Sequence, residues 1–182
     1  MENRIYFIKN KKEEKVLRRK LPMLTLTREE LRGLRTLAKE MRVIMKESNG
    51  VGLSANQIGI EKRFFVAQVP DVEGRPKFYA IVNPELVKKG EETAVMEEGC
   101  LSIPELYGLV ERAARVMLTG FDLRGKKVKI SAWGFLARVF QHEVDHLDGK
   151  VFTDRTKHVH RTPTSGRLIA REEKLRNQAT SD

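Results

Sequence analysis

The sequence predicts an α+β fold in which mostly antiparallel sheets pack around a central metal-binding helix with a His-Glu-x-x-His motif. A second, N-terminal helix is amphipathic. Runs rich in β-branched and aromatic residues follow one another between residues 63 and 130. Their connections are mostly short, which favours antiparallel pairing. Strands and helices do not alternate regularly and no repeat is present, so we expect neither a doubly wound α/β fold nor a solenoid.

The composition indicates one polar, globular domain. The chain has 182 residues, of which 40% are hydrophobic and 33% charged, enough for a single core. No apolar run approaches the ~20 residues that cross a membrane, and residues 1–8 do not look like a secretory signal. The lone cysteine suits a reducing compartment, so we expect a cytoplasmic protein. The formal net charge of +10 favours contact with polyanions, although solubility alone would also explain it.

The N-terminal helix is predicted over residues 28–47. Thr27 followed by Glu30 forms a capping-box pattern, and an apolar stripe recurs at spacings of three and four; its members are Leu31, Leu34, Leu37, Ala38, Met41, Ile44 and Met45. Residues 9–20 are mostly charged and are interpreted as a solvated lead-in that ends at Leu21-Pro22.

The β-like runs come next along the chain. Strands are predicted at 63–69, at 78–82 ending with Asn83-Pro84, and at 86–96 with a turn at Lys89-Gly90. The runs 116–121 and 127–130 flank Asp122-Leu123-Arg124-Gly125, which indicates a hairpin.

The motif on the second helix is His142-Glu143-Val144-Asp145-His146. Residues i and i+4 share one helix face, so His142 and His146 can bind one metal ion with Glu143 beside it. The apolar neighbours of the motif indicate a buried helix, where unpaired histidines would be costly. Gly149 stands where a helix end accepts positive φ.

The sequence leaves the third metal ligand open. Phe152 stands where some metallopeptidases place a third histidine, and Glu172 and Glu173 lie in a charged tail. Cys100 is the only cysteine; it is either an inert residue or the thiolate of a Cys-His-His site. Spacing alone does not decide between them.

A glycine-rich segment, residues 49–59, is predicted to bend tightly against another part of the molecule. Gly50 and Gly52 allow close backbone approach. A phosphate-binding loop is the alternative, but the Lys-Ser/Thr pair of such loops does not follow.

Together, the glycine-rich segment, the segment around Cys100 and the histidine motif resemble the peptide deformylase family. The family patterns Gly-x-Gly-Leu-Ala-Ala-x-Gln, Glu-Gly-Cys-Leu-Ser and Gln-His-Glu-x-Asp-His-Leu match residues 50–57, 98–102 and 141–147 in that order. Ser54 replaces the usual alanine, a small-for-small change. The similarity spans about residues 14–155.

The resemblance implies an activity and a set of roles. It implies removal of the N-formyl group from the initiator methionine of new polypeptides by a metal-activated water. Cys100, His142 and His146 would hold one Fe²⁺ per chain, with Zn²⁺, Ni²⁺ or Co²⁺ as substitutes. Glu143 would be the general base, and the Gln57 side chain with the Leu101 backbone N–H would form the oxyanion hole. The implied substrate-binding residues are Val51, Gly52, Gly99, Phe135 and Val139, and Glu98 with Arg112 would form a supporting ion pair.

The chain is expected to contain one catalytic domain, residues 1–155, and a basic tail, residues 156–182, with a candidate helix at 166–178. The tail is either solvated or contacts ribosomal RNA; no membrane or DNA contact is expected. His158 and His160 share a face in strand geometry, but solvated histidines are expected there. A metallohydrolase acting on another amide and a basic adaptor without catalysis are the alternative functions.

Overall fold

The computed structural model describes residues 4–88 and 90–162. Three α-helices lie in this part of the chain: α1 (Lys11–Leu17), α2 (Arg28–Glu47) and α3 (Gly134–Leu147). Eight strands accompany them: β1 (Gly52–Ser54), β2 (Phe64–Pro70), β3 (Pro76–Lys88), β4 (Thr93–Cys100), β5 (Ile103–Ala113), β6 (Arg115–Phe121), β7 (Lys127–Trp133) and β8 (Val159–Arg161). Short 3₁₀ turns span Ala55–Ile58 and Phe152–Asp154.

The strands form two antiparallel sheets. The larger has the order β1-β2-β3-β6-β7 and the smaller the order β4-β5-β8. Every strand pairing in the two sheets is antiparallel, and the 116–121/127–130 hairpin is present as β6 and β7. The α+β prediction is therefore confirmed. Among the described residues, no helix has the length and apolar character needed to cross a membrane.

Helix α2 has the predicted bounds. Thr27 Oγ1 accepts the backbone N–H of Glu30 at 3.1 Å, while the Glu30 carboxylate pairs with Lys62 instead of returning to the cap. The stripe packs against the larger sheet and buries Leu34, Leu37, Ala38, Met41 and Met45. Burial of this stripe, rather than helix propensity, supplies most of the stability of α2.

The third strand is longer than predicted. We expected the strand to end at Asn83-Pro84, but β3 continues to Lys88. A β-bulge between Val82 and Glu85 accommodates the proline, which cannot donate to a regular ladder. Asn83 adopts a φ of 51° there, and its side chain exchanges two hydrogen bonds with the Leu24 backbone, at 2.8 and 2.9 Å.

The expectation of a solvated lead-in is wrong. Within residues 9–20 lies helix α1, which is capped by Asn10 and buries Leu17 completely. Glu13 is buried as well, pairs with Arg4 and accepts the Phe7 backbone N–H at 2.6 Å. Most charged residues of this segment are therefore exposed on one side of a short helix, whereas Glu13 and Leu17 pack on the body.

Helix α3 is buried between the sheets, as its apolar pattern predicted. Phe140, Leu147 and Ala137 are fully buried in a cluster that includes residues of β2, β3 and β6. Gly149 has a φ of 72°, and a Cβ there would lie 2.3 Å from the Arg18 carbonyl oxygen. The helix end is thus enclosed by the segment that follows α1.

The predicted tail is described only as far as residue 162. Strand β8 pairs with β5, so the smaller sheet extends beyond residue 155. His160 Nε2 lies 3.3 Å from Glu97 Oε1 and the side chain is 52% exposed. The candidate helix at 166–178, together with Glu172 and Glu173, lies outside the described residues.

Candidate active site

One cysteine and two histidines meet at the centre of the fold. In the described part of the chain, Cys100, His142 and His146 are the one group of three potential ligands that could hold a metal, with ligand atoms within 4.8 Å of one another. Cys100 Sγ lies 3.1 Å from His146 Nε2. Two histidines on one face of α3 were predicted to converge, and the end of β4 brings the cysteine to them.

The two histidines have different surroundings. His142 Nδ1 lies 2.9 Å from Glu98 Oε2, which leaves Nε2 to face the cluster. Burial opposes the charged imidazolium, but hydrogen bonds with Cys100 and Glu98 outweigh it and raise the pKa of His142 to about 10. Burial and the positive charges of His142 and Arg112 lower the pKa of His146 well below its usual value, which favours the neutral imidazole that binds metal ions.

A buried cluster of ion pairs contacts His142 through Glu98. Arg112 donates from Nε and Nη2 to the two oxygens of Glu98, at 2.5 and 2.8 Å, and from Nη1 to Asp145 at 2.6 Å. Arg138 also donates to Glu98, at 2.8 Å. Burial would raise the pKa of Glu98, but Arg112 and His142 hold it well below its usual range. Glu98 is therefore a fixed anion whose position sets the orientation of the His142 ring.

Glu143 lies beside the cluster and is enclosed on two sides. The backbone of Gly52 approaches so closely that a Cβ at that position would stand 2.2 Å from Glu143 Oε1. Ser54 Oγ lies 2.7 Å from Glu143 Oε2. Burial raises the pKa of Glu143 to about 7, against the opposing effects of His142, Ser54 and Arg112.

Gln57 is held in the 3₁₀ turn after β1. Its Oε1 accepts the Ser54 backbone N–H at 2.9 Å. Its Nε2 therefore faces the cluster, 3.2 Å from Ser102 Oγ and 3.6 Å from Cys100 Sγ. The neighbouring Asn56 Nδ2 donates to the His146 backbone carbonyl at 2.6 Å, which joins this turn to α3.

The glycines of the motifs allow close packing, as predicted for residues 49–59. A Cβ at Gly50 would lie 2.7 Å from Leu101 Cδ1, and one at Gly99 would lie 2.5 Å from Tyr107 Cε1. Residues 49–59 can therefore approach Leu101 closely, and Tyr107 of β5 can pack directly over Gly99 of β4.

A cavity of about 390 Å³ opens onto the cluster. It is lined by the five residues implied for substrate binding, Val51, Gly52, Gly99, Phe135 and Val139, and also by Gln57, Leu101 and Glu143. Arg112 and His146 are buried beneath it. A larger cavity of about 630 Å³ lies around Arg63, Asp148 and Arg155, but none of the three candidate ligands lines it.

Three side chains of the site were missed from the sequence. Arg138 lines the cavity and stands four residues before His142, so its helix position could have revealed it. Asp145 lies within the motif itself. Ser102 stands two residues after Cys100 and contacts Gln57, but a buried serine leaves no distinctive pattern in sequence.

The three donors fit a transition-metal ion. Donor atoms that each lie ~2.0–2.3 Å from a common ion are about 3.5 Å apart, and the observed separations, from 3.1 Å up to 4.8 Å, bracket that value. One sulfur and two imidazoles suit Zn²⁺ or Fe²⁺ better than Mg²⁺ or Ca²⁺, which prefer oxygen.

Comparison with known proteins agrees with this site. The sequence model of the family described as polypeptide deformylase matches residues 8–162. A peptide deformylase of Rhodopirellula baltica is 49% identical over 123 residues, which are 67% of this chain and 60% of that protein. The matched region thus spans less than two thirds of that relative.

Solved structures share the fold. A peptide deformylase from Thermotoga maritima superposes with a TM-score of 0.74 at 38% identity, over 86% of this chain and 99% of that one. A class I type b peptide deformylase from Acinetobacter baumannii with bound Met-Ala-Ser gives a TM-score of 0.72 at 35% identity, over 84% and 96% of the two chains. From the family match over residues 8–162, together with the identity and fold shared with these relatives, it follows that this chain belongs to the polypeptide deformylase family.

Proposed function

We propose that this protein is a metal-dependent amide hydrolase that removes the formyl group from N-formylmethionyl polypeptides and releases formate. The observation that carries the proposal is the convergence of Cys100, His142 and His146 on a cavity that Glu143 and Gln57 also line. An amide hydrolase needs these three components: a metal site, a base and a donor for the oxyanion.

Cys100, His142 and His146 are the proposed ligands of one metal ion per chain. The ion is Fe²⁺, with Zn²⁺, Ni²⁺ or Co²⁺ as substitutes. When bound, such an ion lowers the pKa of water and polarises a carbonyl oxygen. Glu98 and Arg112 form the supporting pair, because Glu98 contacts His142 Nδ1 and so turns Nε2 toward the proposed ion site.

Glu143 is the proposed general base and then the general acid. It takes a proton from the attacking water and returns it to the leaving amine. Gln57 Nε2 and the Leu101 backbone N–H are the proposed donors to the developing oxyanion; one such donor typically contributes ~3 kcal/mol to the barrier. Ser54 and Ser102 hold the two ends of the Gln57 amide, so Nε2 is oriented before the substrate arrives.

The cavity is the proposed binding site of the formylmethionyl group. Val51, Phe135 and Val139 give it an apolar wall, which suits a flexible thioether side chain. Gly52 and Gly99 offer backbone groups to the peptide. The Acinetobacter protein of the same family was solved with Met-Ala-Ser bound, and a peptide of this kind is the product that we propose here.

We further propose that residues 1–155 make up one catalytic domain in a cytoplasmic protein. The net charge of +10 supports contact between the basic tail, residues 156–182, and ribosomal RNA, since new polypeptides emerge there. We propose no contact with membranes or DNA.

The test is formate release from formyl-Met-Ala-Ser by protein purified with Fe²⁺ in the absence of oxygen. Acetyl-Met-Ala-Ser is the matched substrate. We expect formate from the first peptide and no acetate from the second. Bound metal at one ion per chain without formate release would refute the proposed activity, and hydrolysis of both peptides at similar rates would indicate a general deacylase.

Replacement of Glu143 tests the proposed base. E143Q keeps the shape of the side chain but cannot accept the proton, so we expect turnover to fall at least a thousandfold while the metal content stays at one ion per chain. Retained turnover would refute the role of Glu143.

A further inference from the structure

Ser54 has a contact that the proposed roles do not use. The side chain is fully buried, and its Oγ lies 2.7 Å from Glu143 Oε2 and 2.9 Å from the Glu143 backbone oxygen. Both distances fall in the range of O–H···O hydrogen bonds. One hydroxyl thus touches the carboxyl group and the backbone of the same residue.

A serine hydroxyl has one proton and two acceptor lone pairs. It can therefore donate to only one of these two oxygens at a time. When Glu143 is ionised, Ser54 donates to Oε2. When Glu143 carries a proton on Oε2, that O–H donates to Ser54 Oγ, and the Ser54 proton turns to the backbone oxygen. Each arrangement satisfies every proton without moving a heavy atom.

We propose that Ser54 is a positioning residue whose hydrogen bond to Oε2 holds the Glu143 carboxyl group in one place. This inference rests on the proposed function, in which Glu143 gains and then loses a proton during each turnover. A base that shifted after gaining its proton would be misplaced when it returned that proton to the amine, and a displacement of about 1 Å can cost about a hundredfold in rate.

Gly52, on the same strand as Ser54, restricts the movement of Glu143 by contact alone. Gly52 leaves no room for movement towards β1, since even a Cβ there would overlap Oε1. Contact of this kind limits the movement of the carboxyl group but does not set its orientation. Among the hydrogen bonds described for the Glu143 side chain, the one to Ser54 supplies the orientation.

The test compares S54A and S54C with wild-type protein and with S131A. Ser131 lies exposed on β7 and its hydroxyl makes a long contact with Met117 Sδ, at 3.8 Å, so S131A is a matched serine-to-alanine control. We expect S54A to lower kcat about tenfold or more on formyl-Met-Ala-Ser, with KM and metal content unchanged. S54C keeps a weak donor and should fall between S54A and wild type, and S131A should match wild type.

A second measurement does not depend on turnover. The unfolding free energies of wild type, S54A, E143A and the double variant form a cycle that measures the coupling between the two side chains. We expect the loss from S54A to be smaller in the E143A background. Additive losses, or a kcat of S54A within twofold of wild type, would overturn the inference. Inactive wild-type protein with non-additive losses would refute the proposed function but leave the Ser54–Glu143 contact supported.

Discussion

Replacement of Gly52 with alanine should disable the proposed base, Glu143, without touching the proposed metal ligands. The added Cβ would stand 2.2 Å from Glu143 Oε1 and 2.7 Å from its Cδ, whereas ordinary contact begins at 3.4 Å. Glu143 must therefore retreat by about 1.2 Å, and a displacement of this size costs on the order of a hundredfold in rate. Gly52 does not have a positive φ, so alanine adds no backbone strain of its own.

The assay is kcat/KM on formyl-Met-Ala-Ser, measured together with the metal content. G33A is the matched control, because a Cβ at Gly33 meets nothing within 4 Å. Gly33 lies inside α2, where alanine is favoured by about 0.5–1 kcal/mol, so G33A should be slightly more stable and fully active. A G52A protein with intact metal and activity within threefold of wild type would refute the reasoning.

Three further predictions concern the ion cluster, the cysteine and α1. E98Q should lower the free energy of unfolding by about 3–5 kcal/mol in urea melts, because Arg112 and Arg138 would lose a buried partner; a change below 1 kcal/mol would contradict this. C100S should lower metal affinity in competition with a chelator, and unchanged affinity would favour an inert cysteine. Hydrogen bonds from Arg4 and the Phe7 backbone lower the pKa of Glu13 below its ordinary 4.5. The stabilisation by Glu13 is therefore complete above pH 4.5 and is lost at lower pH, so the difference in stability between wild type and E13Q should shrink from pH 7 to pH 3.

The helix with the histidines could be predicted because its information is local. His142 and His146 are four residues apart, and the apolar residues around them follow the helical period. Cys100 is 46 residues from His146, and no local pattern reports a contact over that distance. The sequence pattern alone left the role of Cys100 open. Only the family resemblance implied that Cys100 is a metal ligand.

Two elements were missed for related reasons. Strand β5, Ile103–Ala113, contains a proline, a glycine and charged residues, and its strand geometry depends on pairing with β4 and β8. Helix α1 has seven residues, too few to be stable alone. Strand β5 thus depends on pairing with its neighbours and α1 on packing against the body, and propensity and periodicity report neither.

Ser54 shows a different limit of prediction from sequence. The change from alanine to serine alters the volume little, and the sequence suggested nothing further. Only the position of the hydroxyl, between the carboxyl group and the backbone of Glu143, reveals a hydrogen-bonding role.

The N-terminal segment, residues 4–21, makes hydrogen bonds to three parts of the chain that are far apart in sequence. Tyr6 donates its backbone N–H to Gln57, and Ile8 and Leu21 donate theirs to Ser102 and Leu147. The backbone partners of this segment lie up to 126 residues further along the chain, as the Leu21–Leu147 pair shows. Contacts that close such long loops form late in folding. The candidate metal site can therefore be completed only after α3, which carries His142 and His146, has been synthesised.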